Sequence, residues 1–383
     1  EWNPVRFRYP EIEPCTQALS AVKPIPYRPF RWGAYNITMG IRSMPWNEWI
    51  ELDKDHGLYH KIKSHRLKTR GDRVVRVLTD NANPGVVKGG SEAAVELVHE
   101  LAEYLSRRYP NEFQIVRHDR ISGASESTGA FSGWGWEDQP PVKTVSITSL
   151  GVSFELPLSV ADGDRAPERA MEIAGLLIQD DLAVMIEGKR LCVGVDGKYY
   201  FQAGSICLAG FWRLQDKIGM TLDDIHITGN VPQYKEKLQT SMERFFRRLP
   251  VDKAVIRNNY FVQVNRADEE QVDKEELGWA KGTLGPEDAY ENGQHRLERS
   301  GDAKVEWIRL RTERQTLRRL PQSGGVVFTI RTYLTPIVDL EKEEGGRLGS
   351  ALRSWPADVG LYKGREDGGW FRVLVEYLDD MIK

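Results

Sequence analysis

The side chains with most to offer chemically are one histidine and a set of arginines. His226 stands in Asp223-Asp224-Ile225-His226, between Gly219 and Gly229-Asn230-Val231-Pro232. A neutral imidazole there either ligates a metal through one nitrogen or serves as a hydrogen-bonded structural group, and position alone favours the second role. His226 reads as a loop residue within a helical crossing, a position from which facing the sheet and a cofactor is open to it. Arg311, Arg314, Arg318 and Arg319 then crowd the segment from Arg311 to Pro321, with Glu313 and Gln315 among them, just before an apolar strand. Guanidinium groups clasp carboxylates with paired hydrogen bonds and keep their charge when partly buried. The segment is therefore either a grip for a cofactor's carboxylates or a basic stretch of surface. Arg257 and Arg331 lie inside strand-like runs, where burial would require an acid or a ligand for each.

Other chemistries find less support. The sequence holds no glycine-rich dinucleotide turn, no phosphate loop and no Gly-x-Ser-x-Gly elbow. His99-Glu100 begins a zinc-protease motif but lacks its second histidine. His56, His60 and His65 fall near Lys61, Lys63 and Arg66, and read as a solvated, charged helix rather than a metal site. Cys15, Cys192 and Cys207 are too few and too scattered for a disulfide framework or a four-thiolate centre. A formal net charge of −3 over 383 residues gives no electrostatic footprint for nucleic acid. No apolar run approaches the roughly 20 residues that span a bilayer.

Periodicity supplies the elements that would position these residues. The proline-rich stretch 1–40 reads as an extended arm, because proline lacks the donor that regular structure uses. Pro45-Trp46-Asn47-Glu48 opens a short helix. Val95, Val98, Leu101 and Leu105 mark an amphipathic helix stopped by Pro110. A helix over Ala166 to Ile178 precedes strands at Leu182 to Ile186, Leu191 to Val195 and Tyr199 to Leu208, with a hairpin turn at Asp196-Gly197. Leu238, Met242, Phe245, Phe246 and Leu249 form a second amphipathic helix. Strands follow at Ala254 to Val264 and Gly325 to Tyr333, and a last helix covers Phe371 to Met381. The expected class is α+β, an antiparallel sheet with its helices on one side. We divide the chain into the arm 1–40, a helical and irregular region 41–160, a core 161–340 and a C-terminal extension 341–383.

Several of these segments, in order, resemble one family. Arg314-Gln315-Thr316-Leu317-Arg318-Arg319-Leu320-Pro321, with Gly324 and Val327 to Tyr333, resembles the signature of the haem-dependent oxidative N-demethylases. Lys217-Ile218-Gly219, Ile225-His226, Val231-Pro232 and Arg257-Asn258-Asn259-Tyr260 are similar to the same family. So are Pro29-Phe30, Thr38-Met39-Gly40-Ile41 and Trp49-Ile50-Glu51-Leu52-Asp53. The resemblance implies a PAS-like core that binds haem b, with O2 as co-substrate. In a bacterial member the haem subunit oxidises dimethylamine and releases formaldehyde, on electrons passed from NADPH through flavin and iron–sulfur partners. It further implies His226 as the proximal iron ligand. Arg257, Arg314 and Gln315 are then the candidate catalytic groups, serving the distal oxygen site or the haem propionates with the two roles undivided, and Arg318 and Arg331 are cofactor-binding. Cys207 is the rival iron ligand.

Two departures bear on the substrate. Ile227-Thr228-Gly229-Asn230 separates His226 from Val231-Pro232, and Tyr260 replaces an expected tryptophan. Both would reshape the pocket, so dimethylamine is not carried over. The pattern is nearer the fungal branch, whose members often carry an N-terminal membrane anchor. A chain starting Glu1-Trp2 leaves room for one upstream. The expected activity is a haem-dependent oxidoreductase, a monooxygenase or oxidative demethylase acting on a small organic molecule and fed by a separate reductase. A haem-based gas or redox sensor and a non-haem ligand-binding protein are the alternatives.

Overall fold

Strand periodicity decides this architecture, because one long strand carries arginine on both of its faces. The computed structural model describes residues 2–82, 84–119, 139–189, 197–208, 210, 212–264, 303–366 and 369–383. Its strands are β1 (Arg42–Ser43), β2 (Val75–Val77), β3 (Phe113–Arg117), β4 (Val142–Ile147), β5 (Val152–Glu155), β6 (Asp181–Glu187), β7 (Tyr199–Ser205), β8 (Val255–Val264), β9 (Ile308–Arg319) and β10 (Val326–Pro336). Its helices are α1 (His56–Arg70), α2 (Ser91–Arg108), α3 (Ala166–Leu177), α4 (Leu214–Lys217), α5 (Leu222–Thr228), α6 (Gln239–Arg248), α7 (Lys342–Arg353), α8 (Ala357–Tyr362) and α9 (Trp370–Ile382). A seven-stranded antiparallel sheet runs β1-β8-β9-β10-β6-β7-β2, and a second sheet runs β3-β4-β5.

The α+β class and the antiparallel sheet are as expected, but helices cover both faces of the sheet. On one face, Leu182, Val184, Ile256 and Val327 join the buried residues of α2 and α3 in a single core. On the other, Ala183, Met185, Phe201 and Leu317 meet Leu214, Leu222, Met242 and Phe246 of α4 to α6. The far ends of β8 and β9 pack through Tyr260, Val262, Ile308 and Leu310 on α7, α8 and α9. Region 41–160 supplies both edges of the main sheet, since β1 pairs with β8 and β2 with β7. The expected strand Leu191 to Val195 and Asp196 of the turn lie outside the described residues.

The arginine-rich segment is no surface stretch: it is β9 itself, and Arg311, Arg314, Arg318 and Arg319 are all buried. Side chains alternate across a strand. Arg314 and Arg318 therefore face α2, and Arg331 of β10, directly opposite Arg314, shares that face. Like charges opposed across strands repel. An alternating acidic pair removes the repulsion: Glu51 lies 3.2 Å from Arg314 Nε, and Asp53 2.6 Å from Arg331 Nη2. Arg318 meets Glu100 of α2 at 2.5 Å, with its guanidinium 4.4 Å from the centre of the Trp49 ring. Glu96, one turn earlier, accepts from the Gln322 and Ser323 amides at 2.7 Å and pins the β9–β10 turn, where Gly324 adopts φ +72. Arg319, on the opposite face, donates to the Leu249, Phe246 and Gly324 carbonyls and ties the end of α6 to the sheet.

Helix α1 also departs from the solvated, charged helix expected. His56, Lys63 and Arg66 are buried: His56 and Lys63 because the carbonyls at the end of α3 need donors, Arg66 because it donates to Cys207 O. His56 Nε2 donates to Leu177 O at 3.1 Å, His60 Nδ1 to Leu176 O at 3.0 Å, and Lys63 Nζ to the carbonyls of Gly175 and Ile178 at 3.1 Å. His99, buried in α2, spends Nε2 on Pro157 O.

Two stability predictions follow from these buried charges. Arg318→Met strands the Glu100 carboxylate and should cost about 3–5 kcal/mol in denaturant unfolding, most of it recovered when Glu100→Leu is added. Burial pushes His56 and His99 down to about 4, below the usual imidazole range. The unfolded chain then takes protons that the folded one refuses, so these groups remove stability as pH falls from about 6.5 to about 4. Asp180, pushed up to about 6 by burial, acts in the opposite sense over part of that window. His56→Gln isolates one histidine: relative to wild type it should gain on the order of 3 kcal/mol across the window.

Candidate functional site

The sheet face opposite the α2 ion pairs forms the floor of a cavity of about 480 Å³, within the roughly 300–1,000 Å³ typical of small-molecule and cofactor sites. Arg257 and Asn259 of β8, with Glu313 and Gln315 of β9, project into it. Across the ladder Arg257 pairs with Gln315, and Asn259 with Glu313. Helices α5 and α6 roof it. The N-terminal arm contributes Tyr35, Ile37 and Met39, and the C-terminal region adds Val359, Tyr362 and Lys363.

His226 enters the cavity from α5, a helix rather than the loop expected. Thr221 caps its start by accepting from the Asp224 amide at 3.0 Å. Lys217 serves its end, donating to Thr228 Oγ1 at 2.7 Å and Ile225 O at 3.3 Å. Gly219, at φ +85, allows the sharp turn between α4 and α5, and its amide reaches Phe201 O at 2.8 Å. The imidazole is held on two sides. Nδ1 donates to Leu222 O at 2.7 Å, and the ring stacks on Tyr234 with centroids 4.7 Å apart and planes 10° apart. Tyr234 is itself fixed by donating to Asp223 at 2.6 Å. Burial, with Arg257 adding to it, lowers the imidazole pKa below the ordinary range, so the ring is neutral at neutral pH. With Nδ1 carrying the proton, Nε2 keeps its lone pair, and it has no hydrogen-bond partner among the described residues.

The sheet separates the residues picked out from sequence. His226, Arg257 and Gln315 share the cavity. Arg314, Arg318 and Arg331 do not: strand alternation turns them to the other face, where Glu51, Glu100 and Asp53 engage them. Gln315 acts indirectly, its amide donating to Glu313 Oε2 at 3.0 Å while Arg311 Nε holds Oε1 at 3.0 Å. Cys207 packs with Ile62, Val74 and Leu208 rather than on the cavity wall, and burial pushes its thiol up to about 12, against a thiolate. Tyr260 accepts a hydrogen bond from Trp355 at 3.1 Å and is not itself among the residues that line the cavity. The segment after His226 does line the cavity, through Thr228, Gly229 and Asn230.

Sequence reasoning missed Glu313 as a cavity group and missed Lys363 altogether. Glu313 alternates with Arg311 and Gln315 along β9, a pattern readable once β9 is recognised as a strand. Lys363 follows α8 in the C-terminal extension, and no local signal marks it. Among the described residues no cluster of three or more histidine, cysteine or carboxylate side chains is placed to hold a metal ion. No described helix is long and apolar enough to cross a membrane.

Because α5 carries the histidine, Thr221→Ala, which deletes its N-cap, should lower the unfolding free energy by about 1 kcal/mol. Thr221→Ser should retain most of it in the same denaturant titration.

The family resemblance carried by the order of these motifs agrees with the outcome of the family comparison. Residues 40–370 match the family described as haem-dependent oxidative N-demethylase, alpha subunit-like, and the chain belongs to that family.

Proposed function

We propose that the chain binds haem b with His226 as the iron ligand and uses O2 to oxidise a small organic substrate, by oxidative N-demethylation or hydroxylation. The observation that carries this reading is the Nδ1–H bond to Leu222 O at 2.7 Å, which leaves a neutral Nε2 on the cavity wall. Iron-ligating histidines are oriented in this way, the far nitrogen donating to a carbonyl or carboxylate that sets ring basicity.

The remaining residues fit the cofactor. Met185, Phe201, Leu317 and Phe328 give apolar walls suited to a flat macrocycle, and the opposite end of the cavity is cationic. Haem, when bound, supplies the O2 binding and one-electron chemistry that side chains lack. The protein's part is to orient and to exclude water. Leu222 and Tyr234 fix the imidazole plane, Lys217 and Thr221 fix α5, and the apolar walls keep solvent from the reacting centre. Glu313, held by Arg311 and Gln315, is the one carboxylate on β9 facing the cavity and the candidate acceptor for a substrate's N–H or O–H proton. The hairpin β6–β7, the crossing α4–α6 and the three returning strands β8–β10 support the PAS-like reading of the core. The given sequence carries no recognisable flavin, nicotinamide or iron–sulfur motif, and under this reading a separate reductase, or the substrate itself, supplies the electrons.

The test is the visible spectrum of haem-supplied protein in ferric, ferrous and ferrous–CO forms, beside His226→Ala. Wild type should bind one equivalent and show a histidine-type Soret band, which His226→Ala loses or shifts. Absence of haem binding by wild type would favour the non-haem ligand-binding alternative. A thiolate-type spectrum persisting in the variant would displace His226. NADPH and O2 alone should give no turnover until a reductase is added.

A further inference from the structure

Arg257 is an exception among the arginines of the central strands. Arg314, Arg318 and Arg331 each have an acid, Arg311 has Glu313, and Arg319 has carbonyls. The Arg257 guanidinium makes no hydrogen bond or ion pair with any described residue, and its Nε is buried without a partner. The acid nearest in the ladder, Glu313, is already engaged by Arg311 and Gln315. A cation held in a cavity without a counter-charge is costly, and such a group persists where a ligand supplies the missing charge.

Lys363 lies at the same end. Its Nζ donates to Tyr260 O at 2.7 Å and Asn259 Oδ1 at 3.2 Å, which uses two of its three N–H groups. The Phe261 and Tyr260 rings lie 4.5 and 4.6 Å from it. Burial pushes this amine down to about 7, and an anion beside it would restore its charge. Tyr35 and Tyr362 flank the pair, both pushed upward by burial, so they present O–H rather than phenolate. With Arg311 neutralised by Glu313, Arg257 and Lys363 are the surplus positive groups.

We propose that this end of the cavity is a carboxylate-binding subsite, with Arg257 as its principal holding group and Lys363 as its second. Two sources carry that chemistry: a propionate of the haem, or the carboxylate of a substrate such as an N-methylated amino acid. The first rests on the haem reading above and the second does not. A simple alkylammonium ion, which has no anionic group, is disfavoured here by the surplus charge.

Arg257→Gln and Lys363→Gln, each compared with wild type, test the subsite in two arms. The first titrates haem and haem dimethyl ester, whose propionates are blocked. The second measures, by calorimetry and thermal unfolding, the binding of N,N-dimethylglycine against dimethylamine. If a propionate occupies the subsite, wild type prefers haem to its ester by at least about tenfold, the ratio matching one charge-assisted hydrogen bond. Arg257→Gln then abolishes the preference. If a substrate carboxylate occupies it, N,N-dimethylglycine binds and stabilises wild type while dimethylamine does not. Arg257→Gln loses that binding, and Lys363→Gln weakens it. In either case ligand-free Arg257→Gln should unfold at a higher temperature than wild type, since an unneutralised charge has gone. Arg257→Lys, which retains the charge, should keep part of the preference and serves if the glutamine variant misfolds. The proposal is overturned if wild type shows neither preference, or if both survive in Arg257→Gln. Should wild type bind no haem at all, the cofactor reading fails, and the dimethylglycine arm still decides the subsite.

Discussion

The structure depends on neutralising the positive charge buried along β9 and β10. Arg314 and Arg331 oppose each other across the ladder, with Arg318 one alternation further along the same face. In a low-dielectric interior that arrangement is untenable without acids at matching spacing. Glu51 and Asp53, two residues apart in an extended segment, match the arginine pair, and Glu100 matches Arg318 from α2. Helix α2, the segment Trp49 to Asp53 and the central sheet therefore lock together. The register that satisfies these pairs is the one that turns Arg257, Glu313 and Gln315 toward the cavity. Stability on one face and ligand chemistry on the other are set by a single alignment.

Much of this was legible in the sequence. The apolar spacings of α2, α3 and α6 and the β-branched runs of β6, β8 and β10 each fixed an element within a few residues, because those patterns have one physical reading. The segment Arg311 to Arg319 was harder. Its alternation is of charge rather than of polarity, so it lacks the apolar-polar signal that marks a strand, and the burial of Arg314 and Arg318 rests on acids more than 200 residues away in sequence. The same long-range pairing hid the division of the arginines between two faces. Helix α1 was misjudged for a related reason: His56 and Lys63 are buried and His60 half-buried because α3 presents carbonyls to them, and local composition does not report that.

The site was half legible. His226, Arg257 and Gln315, all picked out from sequence, line one cavity, and the histidine's hydrogen bond to Leu222 O occupies only one of its two ring nitrogens. Lys363 was beyond reach, since only the folding of the C-terminal region onto β8 brings it to Asn259 and Tyr260. Glu313 was visible as a residue but without a face.

The walls of the cavity come from segments far apart in order of synthesis. Of these, Tyr35 to Met39 emerge from the ribosome first, the histidine helix next, and Val359 to Lys363 last. A nascent chain halted before α8 would present an open trough, with its imidazole in place and its cationic end incomplete. Closure of the cavity is thus coupled to synthesis of α8 and the residues just after it, and a product truncated before them would lack the wall that Val359, Tyr362 and Lys363 supply.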